Sequence, residues 1–265
     1  MWLTSYLRTA RRTQLVVRAY VVGAVISSLA AVLALFVAFP GHEILAGENQ
    51  SRAQGLFKDP NVFGPFLIPA ALIALEEAVR PRVLGIRRPT AVAVLVVLVI
   101  GVVFAFSRAA WLNFALGVSV MLFVLSLRTE AARATWAAVA LIAVVGAFAG
   151  GAVLLTGSGD FLQERAQVQS YDTERFSAQR TGIQLASEHP LGVGPGQFEL
   201  DHTVSAHSIY IRVLAEQGVL GLVVIIALLA FTLVLATRNA VAGRDTFGVG
   251  SAALLGAWCL SLIHI

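Results

Sequence analysis

The sequence predicts an all-α, polytopic membrane protein, and three observations carry that prediction. First, 58% of the residues are hydrophobic, 13% are charged and the mean hydropathy is +0.82, which lies outside the range of ordinary soluble domains. Second, no segment alternates apolar and polar residues in the ten-residue units of a lipid-facing barrel. Third, charge-free runs divide the chain at 19–42, 60–75, 89–107, 109–127, 134–159, 217–237 and 246–265.

Taken in order, these runs predict about seven transmembrane helices. A bilayer core of roughly 30 Å needs about 20 apolar residues in a helix. The run at 60–75 is shorter and carries three prolines, which predict a helix that starts late or bends. Residues 89–127 contain a single charge, Arg108, and one straight helix of that length would reach roughly 58 Å. The chain must therefore turn near Arg108, which either snorkels from a helix end or meets a lipid-linked anion at the membrane boundary.

The cationic residues predict the orientation of these helices. If the loop at 156–210 is extracytoplasmic, the inner side receives twelve arginines and the outer side receives six arginines and one lysine, in agreement with the positive-inside rule. The net charge of +4 then reflects topology and is no evidence of nucleic-acid binding. A single cysteine, Cys259, excludes an internal disulfide framework.

The extracytoplasmic loop is predicted to contain two polar helices and a glycine turn. The helices are expected at 160–170 and 173–188, the second ending before Pro190. The alternating glycines of 191–196 also suggest a nucleotide-binding loop. No strand precedes them, however, and Pro195 removes a backbone donor. A tight turn that carries the chain back to the membrane is the better interpretation.

His207 is the candidate for proton chemistry. It lies ten residues before the charge-free run at 217–237, so it is held close to a membrane surface, and histidine exchanges protons near neutral pH. The alternative is a structural histidine at an interface. Asp201, His202 and His207 also suggest a metal site, but they supply too few ligands and no recognisable spacing, so we predict no metal.

Single arginines are the candidates for binding an anionic substrate. Residues 160–216 hold eight carboxylates against four arginines, so a diffuse basic field cannot attract an anion. Arg175, Arg180 and Arg108 would have to meet it individually; for the first two the alternative is ion pairing on the helix surface. Arg212 and Glu216 are four residues apart and are predicted to pair with each other.

The pattern His207-Ser208-x9-Gly218-x-x-Gly221 resembles the signature of the O-antigen ligase family. Three further segments resemble that family in the same chain order, so that the resemblance covers roughly residues 45–235. Gln179 departs from the pattern, since a tryptophan is common at its position. The three segments are Arg52 with 55–61 ending in Pro60-Asn61, then Phe106-Ser107-Arg108-Ala109-Ala110-Trp111, and then Arg175 through His189-Pro190-Leu191-Gly192-Val193-Gly194.

The resemblance implies an inverting membrane glycosyltransferase of the GT-C type in the bacterial inner membrane, with its active site on the extracytoplasmic face. The implied reaction transfers a glycan from an undecaprenyl-diphosphate carrier to a hydroxyl of a surface acceptor such as lipid A–core. His207 would be the general base, and Arg175 and Arg108 would lie near the diphosphate, with Arg180 as a further candidate. No metal or cofactor is implied. The remaining motif positions are expected to be structural: Ser208, Glu216, Gly218, Gly221, Asn61, Gly192 and Gly194.

Gly218 and Gly221 carry a more specific structural expectation. Their i, i+3 spacing predicts that a neighbouring helix approaches closely at this point.

Two readings of the chemistry stay open beside the ligase. A repeat-unit polymerase and a protein O-oligosaccharyltransferase would share the base and the arginines and differ in the acceptor groove. A transporter is the alternative of a different class, but transporters tend to show paired repeats and charges at mid-membrane, which this sequence lacks.

The boundaries of the chain suggest a fragment of one membrane domain spanning 1–265. Members of the resembled family usually have more spanning helices than seven, and residues 259–265 resemble a non-native tail. The activity of this polypeptide alone is therefore in doubt.

Overall fold

The computed structural model describes residues 6, 9–47, 52–80, 84–127, 132–155, 170–198, 208–242 and 251–264. Across these ranges the regular structure is helical and no strand occurs, which confirms the all-α prediction. The helices are α1 (Ala10–Phe36), α2 (His42–Leu45), α3 (Pro60–Val79), α4 (Arg88–Phe104), α5 (Arg108–Ser126), α6 (Ala132–Leu155), α7 (Ser170–Glu188), α8 (Ile209–Val241) and α9 (Ser251–His264).

Four of the described helices, α1, α3, α5 and α8, are long and apolar enough to cross a membrane. Helix α4 and residues 136–151 of α6 are apolar but shorter. The polytopic membrane architecture is therefore confirmed, whereas the count of about seven spanning helices stays a prediction.

The chain forms two compact units. The first comprises Met1–Leu162 and Ala236–Leu260, and the second comprises Gln163–Leu235 and Ser261–Ile265. The first unit holds α1 to α6 and most of α9, and the second holds α7 and most of α8. That all 265 residues act as one domain stays a prediction.

Helix α3 is the core of the first unit. Most of its large apolar side chains, among them Phe63, Leu67 and Leu72, are fully buried. Gly64 allows α5 to approach, because a Cβ at this position would lie 2.7 Å from the Cβ of Ala110. Small residues at such contacts let membrane helices pack closely where burial from water supplies little driving force.

The sequence predicts that α3 starts late or bends, and the first of these alternatives was wrong. The helix begins at Pro60, the first residue of the run. Pro60 occupies the first turn, where no intrahelical partner needs its missing N–H. The Asp59 carboxylate accepts a 2.7 Å hydrogen bond from the Asn61 N–H and so caps the helix. Pro65 and Pro69 both lie inside it.

The predicted turn before Arg108 is confirmed. Helix α4 ends at Phe104 and α5 begins at Arg108. Phe106 adopts a φ of 46°, which is rare for a bulky residue, and its ring packs edge-on against Phe104 and Trp111. The Ser107 hydroxyl accepts a 3.3 Å hydrogen bond from the Ala110 N–H and caps α5. Three residues, 105–107, therefore separate the two helices.

Two buried carboxylates lie at the opposite end of α3. Glu77 is 1% exposed and accepts hydrogen bonds from the N–H groups of Leu84 (3.1 Å) and Gly85 (2.8 Å), which precede α4. Glu76 accepts one of 3.2 Å from the N–H of Ala253, in the first turn of α9. These carboxylates join three helix ends, since buried backbone donors need a partner.

Candidate functional site

Arg52 joins two of the sequence segments that resemble the O-antigen ligase family. Its Nε donates to the Ala105 carbonyl at 3.0 Å. One terminal nitrogen donates to Asn61 Oδ1 at 3.0 Å and to the Phe106 carbonyl at 3.4 Å. The Ala105 and Phe106 carbonyls follow the end of α4, where helix carbonyls lack intrahelical partners. Arg52 thus ties the start of α3 to the turn that presents Arg108.

Arg108 is half-buried as the first residue of α5. The turn before it is fixed from several sides. The Ala53 N–H donates to the Phe104 carbonyl at 2.8 Å, and Trp111 Nε1 donates to the Val102 carbonyl at 3.2 Å. The position of the Arg108 backbone therefore follows from the packing of α3, α4 and α5.

Helix α7 is the predicted arginine helix, and it ends at Glu188, as the sequence indicates. One face, including Ala178, Gly182 and Ala186, is buried. A Cβ at Gly182 would lie 2.5 Å from the Ile211 side chain, and 3.4 Å from the ring of Phe198. Helix α7 therefore packs against the first turns of α8.

The other face of α7 is exposed and mixes apolar groups with one cation. Phe176, Arg180 and Ile183 recur at helical spacing and are all exposed. With Ser177 and Gln179 they line an open concavity of about 370 Å³. Arg180 is therefore accessible to an anion from solvent.

The glycine turn (residues 190–196) contacts a break in α8. Gly218 has a φ of 70° and a ψ of −168°, which are not helical and are accessible essentially to glycine alone. In a continuous helix the Val219 N–H would donate to the Ala215 carbonyl. It donates instead to the Pro190 carbonyl at 3.0 Å, and the Ala215 carbonyl accepts from the Val193 N–H at 3.0 Å. The turn has therefore replaced an intrahelical bond.

Steric fit reinforces these hydrogen bonds. A Cβ at Gly218 would lie 2.5 Å from the Leu191 carbonyl carbon. One at Gly192 would lie 2.6 Å from the Gly218 nitrogen, and the Gly194 N–H donates to the Glu216 carbonyl at 2.9 Å. The expectation that Gly218 accommodates a neighbouring helix was therefore wrong: what it accommodates is the backbone of the turn.

Gly221 also departs from that expectation. The atoms nearest to a Cβ built on it belong to Gln217 and Val213 of its own helix.

The predicted pairing of Arg212 with Glu216 is confirmed. Arg212 Nε lies 3.2 Å from Glu216 Oε1, and Glu216 is 5% exposed. The carboxylate therefore neutralises the arginine, which is consistent with leaving Arg212 out of the anion-binding candidates.

The structure does not describe the side chains of the two residues with the most specific predicted roles. His207 lies outside the described residues, although Ser208, directly after it, is described and is half-buried. Arg175 belongs to α7, but its side chain lies outside the description. Asp201 and His202 of the alternative metal site also lie outside it. Among the residues that are described, no group of three or more His, Cys, Asp or Glu side chains is able to hold a metal ion.

A model of the O-antigen ligase family matches residues 93–226, just over half of the chain. The chain belongs to the O-antigen ligase family. The match runs from within α4 to within α8 and includes Arg108, α7, the glycine turn and Gly218. Family membership confirms the resemblance noted from the motifs and makes this a membrane protein with a role in glycan transfer. No curated protein and no solved structure is similar enough to this chain to match it.

The family match begins after Arg52 and Asn61. The structure adds the hydrogen bond between these two side chains. Motif comparison selected both residues, but nothing in their spacing indicated that their side chains bond to each other. An arginine in a loop, ahead of an Asp-Pro-Asn helix start, was the available signal.

Proposed function

We propose that this protein transfers a glycan from an undecaprenyl-diphosphate carrier to a hydroxyl of a surface acceptor such as lipid A–core. The reaction inverts the anomeric centre, needs no metal, and takes place on the extracytoplasmic face of the bacterial inner membrane. The observation that carries the proposal is the pairwise packing of the family segments. Arg52 bonds both to Asn61 and to the turn that presents Arg108, and the glycine turn contacts Gly218.

His207 is the proposed general base. It accepts the proton of the acceptor hydroxyl while the hydroxyl oxygen forms a bond to the anomeric carbon of the donor glycan. The bond from that carbon to the diphosphate oxygen breaks, and undecaprenyl diphosphate leaves with the electron pair. An imidazole with an ordinary pKa of about 6.5 suits proton transfer near neutral pH.

Arg175, Arg180 and Arg108 are the proposed contacts of the diphosphate. Negative charge grows on the phosphate oxygens as the glycosidic bond breaks, and guanidinium groups stabilise it through paired hydrogen bonds. Arg180 supports this role through its exposure beside the 370 Å³ concavity of α7. The roles of Arg175 and Arg108 rest on the family resemblance.

The test is glycan transfer from a lipid-linked donor in membranes that contain the protein, with donor binding measured separately. We expect His207→Ala to lower turnover by about a hundredfold or more, the usual size of a general-base contribution, at unchanged protein level. His189→Ala is the matched control, because His189 is exposed after α7 and lies outside the proposed site. Near-normal turnover in His207→Ala would show that the base has been misassigned.

The arginines are tested by substitutions that keep the charge. Arg175→Lys and Arg180→Lys should weaken donor binding, because an ammonium cannot present the planar fork that meets phosphate oxygens in pairs. Arg238→Lys, in the last turn of α8, is the control. If both lysine variants bind donor as well as Arg238→Lys does, the diphosphate lies elsewhere.

A further inference from the structure

The described part of the second unit contains a contact between two separate backbone segments that is too close for ordinary side chains. We call it the interlock, and it consists of Gly192, Gly194 and Gly218 with the hydrogen bonds of Val193 and Val219. On one side lies the glycine turn that ends α7. On the other lies the break that separates residues 209–217, here called the arm, from the rest of α8.

The arm contacts both the glycine turn and α7. At one end the turn accepts a hydrogen bond from Val219 and donates to the Ala215 carbonyl. At the other end Ile211 lies against Gly182 of α7. Between them Phe198 and Ala215 are fully buried, with Leu185 packed against them. The arm is therefore held near its start by α7, through Ile211, and near its end by the glycine turn, through the Ala215 carbonyl.

We infer that Gly192 and Gly218 are positioning residues, which hold the arm at a set distance from α7. This distance allows His207, the proposed base just before the arm, to meet the bound donor. This inference rests on the proposed function, in which α7 binds the diphosphate and His207 precedes the arm through Ser208. The proposed donor-binding side belongs to α7, and the proposed base comes two residues before the arm in the sequence. A substitution in the interlock therefore changes the distance between the base and the donor-binding side without removing either group.

The magnitude follows from the geometry. A Cβ at position 218 would lie 2.5 and 2.7 Å from the carbonyl carbon and Cα of Leu191, so the backbones must separate by about 1 Å to reach ordinary contact. A misplacement of about 1 Å from a remote substitution can cost about a hundredfold in rate. We expect Gly218→Ala and Gly192→Ala each to lower turnover by roughly that factor.

Gly218→Asn distinguishes this geometry from an ordinary left-handed turn. Asparagine tolerates the left-handed helical region, but the ψ of −168° at Gly218 lies outside it. We therefore expect asparagine to fail as completely as alanine. Gly196→Ala is the matched control in the same turn: Gly196 has a φ of 78°, but a Cβ on it would meet no atom within 4 Å beyond its chain neighbours.

The experiment measures turnover and binding of undecaprenyl diphosphate for each variant of the full chain. The expected result is a large loss of turnover with donor binding within about twofold of the starting protein, and near-normal values for Gly196→Ala. The double variant Gly192→Ala/Gly218→Ala should be little worse than either single one, because one substitution already opens the interlock.

Three outcomes would overturn the inference. Turnover within about threefold of normal in both single variants would show that the contact does not position the arm. A parallel loss of turnover and donor binding, or a protein that no longer accumulates, would show a role in folding alone. A wrong assignment of His207 as the base is detected independently. It would appear as retained turnover in His207→Ala, whatever the glycine variants show.

Discussion

Replacing Arg52 by alanine should destabilise the first unit by about 3 kcal/mol. The side chain makes two hydrogen bonds of 3.0 Å, to the Ala105 carbonyl and to Asn61 Oδ1, and one longer bond of 3.4 Å to the Phe106 carbonyl. Hydrogen bonds to a charged group contribute about 1.5–3 kcal/mol each. The two shorter bonds at the lower end of that range give about 3 kcal/mol, because Ala105 and Phe106 are almost fully buried and water cannot readily replace the donor.

The assay is thermal unfolding of the purified protein in detergent, followed by circular dichroism. For a unit of this size each kcal/mol corresponds to about 2–4 °C, so Tm should fall by about 6–12 °C. Arg52→Lys should recover only part of this loss, since one ammonium cannot occupy the positions of both guanidinium nitrogens. Lys58→Ala is the control, because Lys58 is an exposed cation in the same loop and should shift Tm by less than about 2 °C.

A double-mutant cycle with Asn61→Ala isolates the bond between the two side chains. The combined loss should be smaller than the sum of the single losses by roughly 1 kcal/mol, because either substitution removes the same bond. A Tm for Arg52→Ala within about 2 °C of the starting protein would refute the reasoning, and so would strict additivity in the cycle.

Three further predictions concern other parts of the molecule. Asn113→Leu should raise Tm, since the Asn113 amide is 1% exposed and neither of its polar atoms has a hydrogen-bond partner among the described residues; a lower Tm would show that the amide is satisfied. Glu77→Gln should lower the free energy of unfolding by about 2 kcal/mol in the same assay, because an amide has one acceptor atom for the N–H groups of Leu84 and Gly85; an unchanged value would contradict the capping role. Glycan transfer should survive EDTA, and activity that EDTA removes and zinc or magnesium restores would revive the metal reading of Asp201, His202 and His207.

Local chemistry was sufficient to predict the all-α membrane architecture and the turn before Arg108. Charge-free runs report what a bilayer tolerates, and a 39-residue apolar stretch with one arginine has to turn. The expectation of a late start for α3 was wrong because a proline in the first turn does not break a helix. Asp59-Pro60 is in fact a good helix start, and this was readable from the sequence.

Tertiary partners explain what the sequence did not reveal about the candidate site. Gly218 and Gly221 have the spacing of a helix–helix contact, and only the distant Pro190–Gly194 segment decides that Gly218 breaks α8. Arg52 and Asn61 are nine residues apart, and their contact depends on the packing of α3 against α4. The roles of His207 and Arg175 stay predictions, since the structure describes neither side chain.

The break at Gly218 should also reduce the effect of changes in the lipid bilayer on the arm. Transmembrane helices tilt by about 20° on average and adjust this tilt to the thickness of the surrounding membrane. In a continuous α8, the nine residues before Gly218 would form a lever of about 13.5 Å, and a change of about 20° would move its tip by about 5 Å. Because the arm is also bonded to the glycine turn through the Ala215 carbonyl, we expect a change in the tilt of helix 219–241 to be taken up partly by a bend at Gly218. Hydrophobic mismatch should therefore affect the anchoring of this protein more than the geometry of its proposed chemistry.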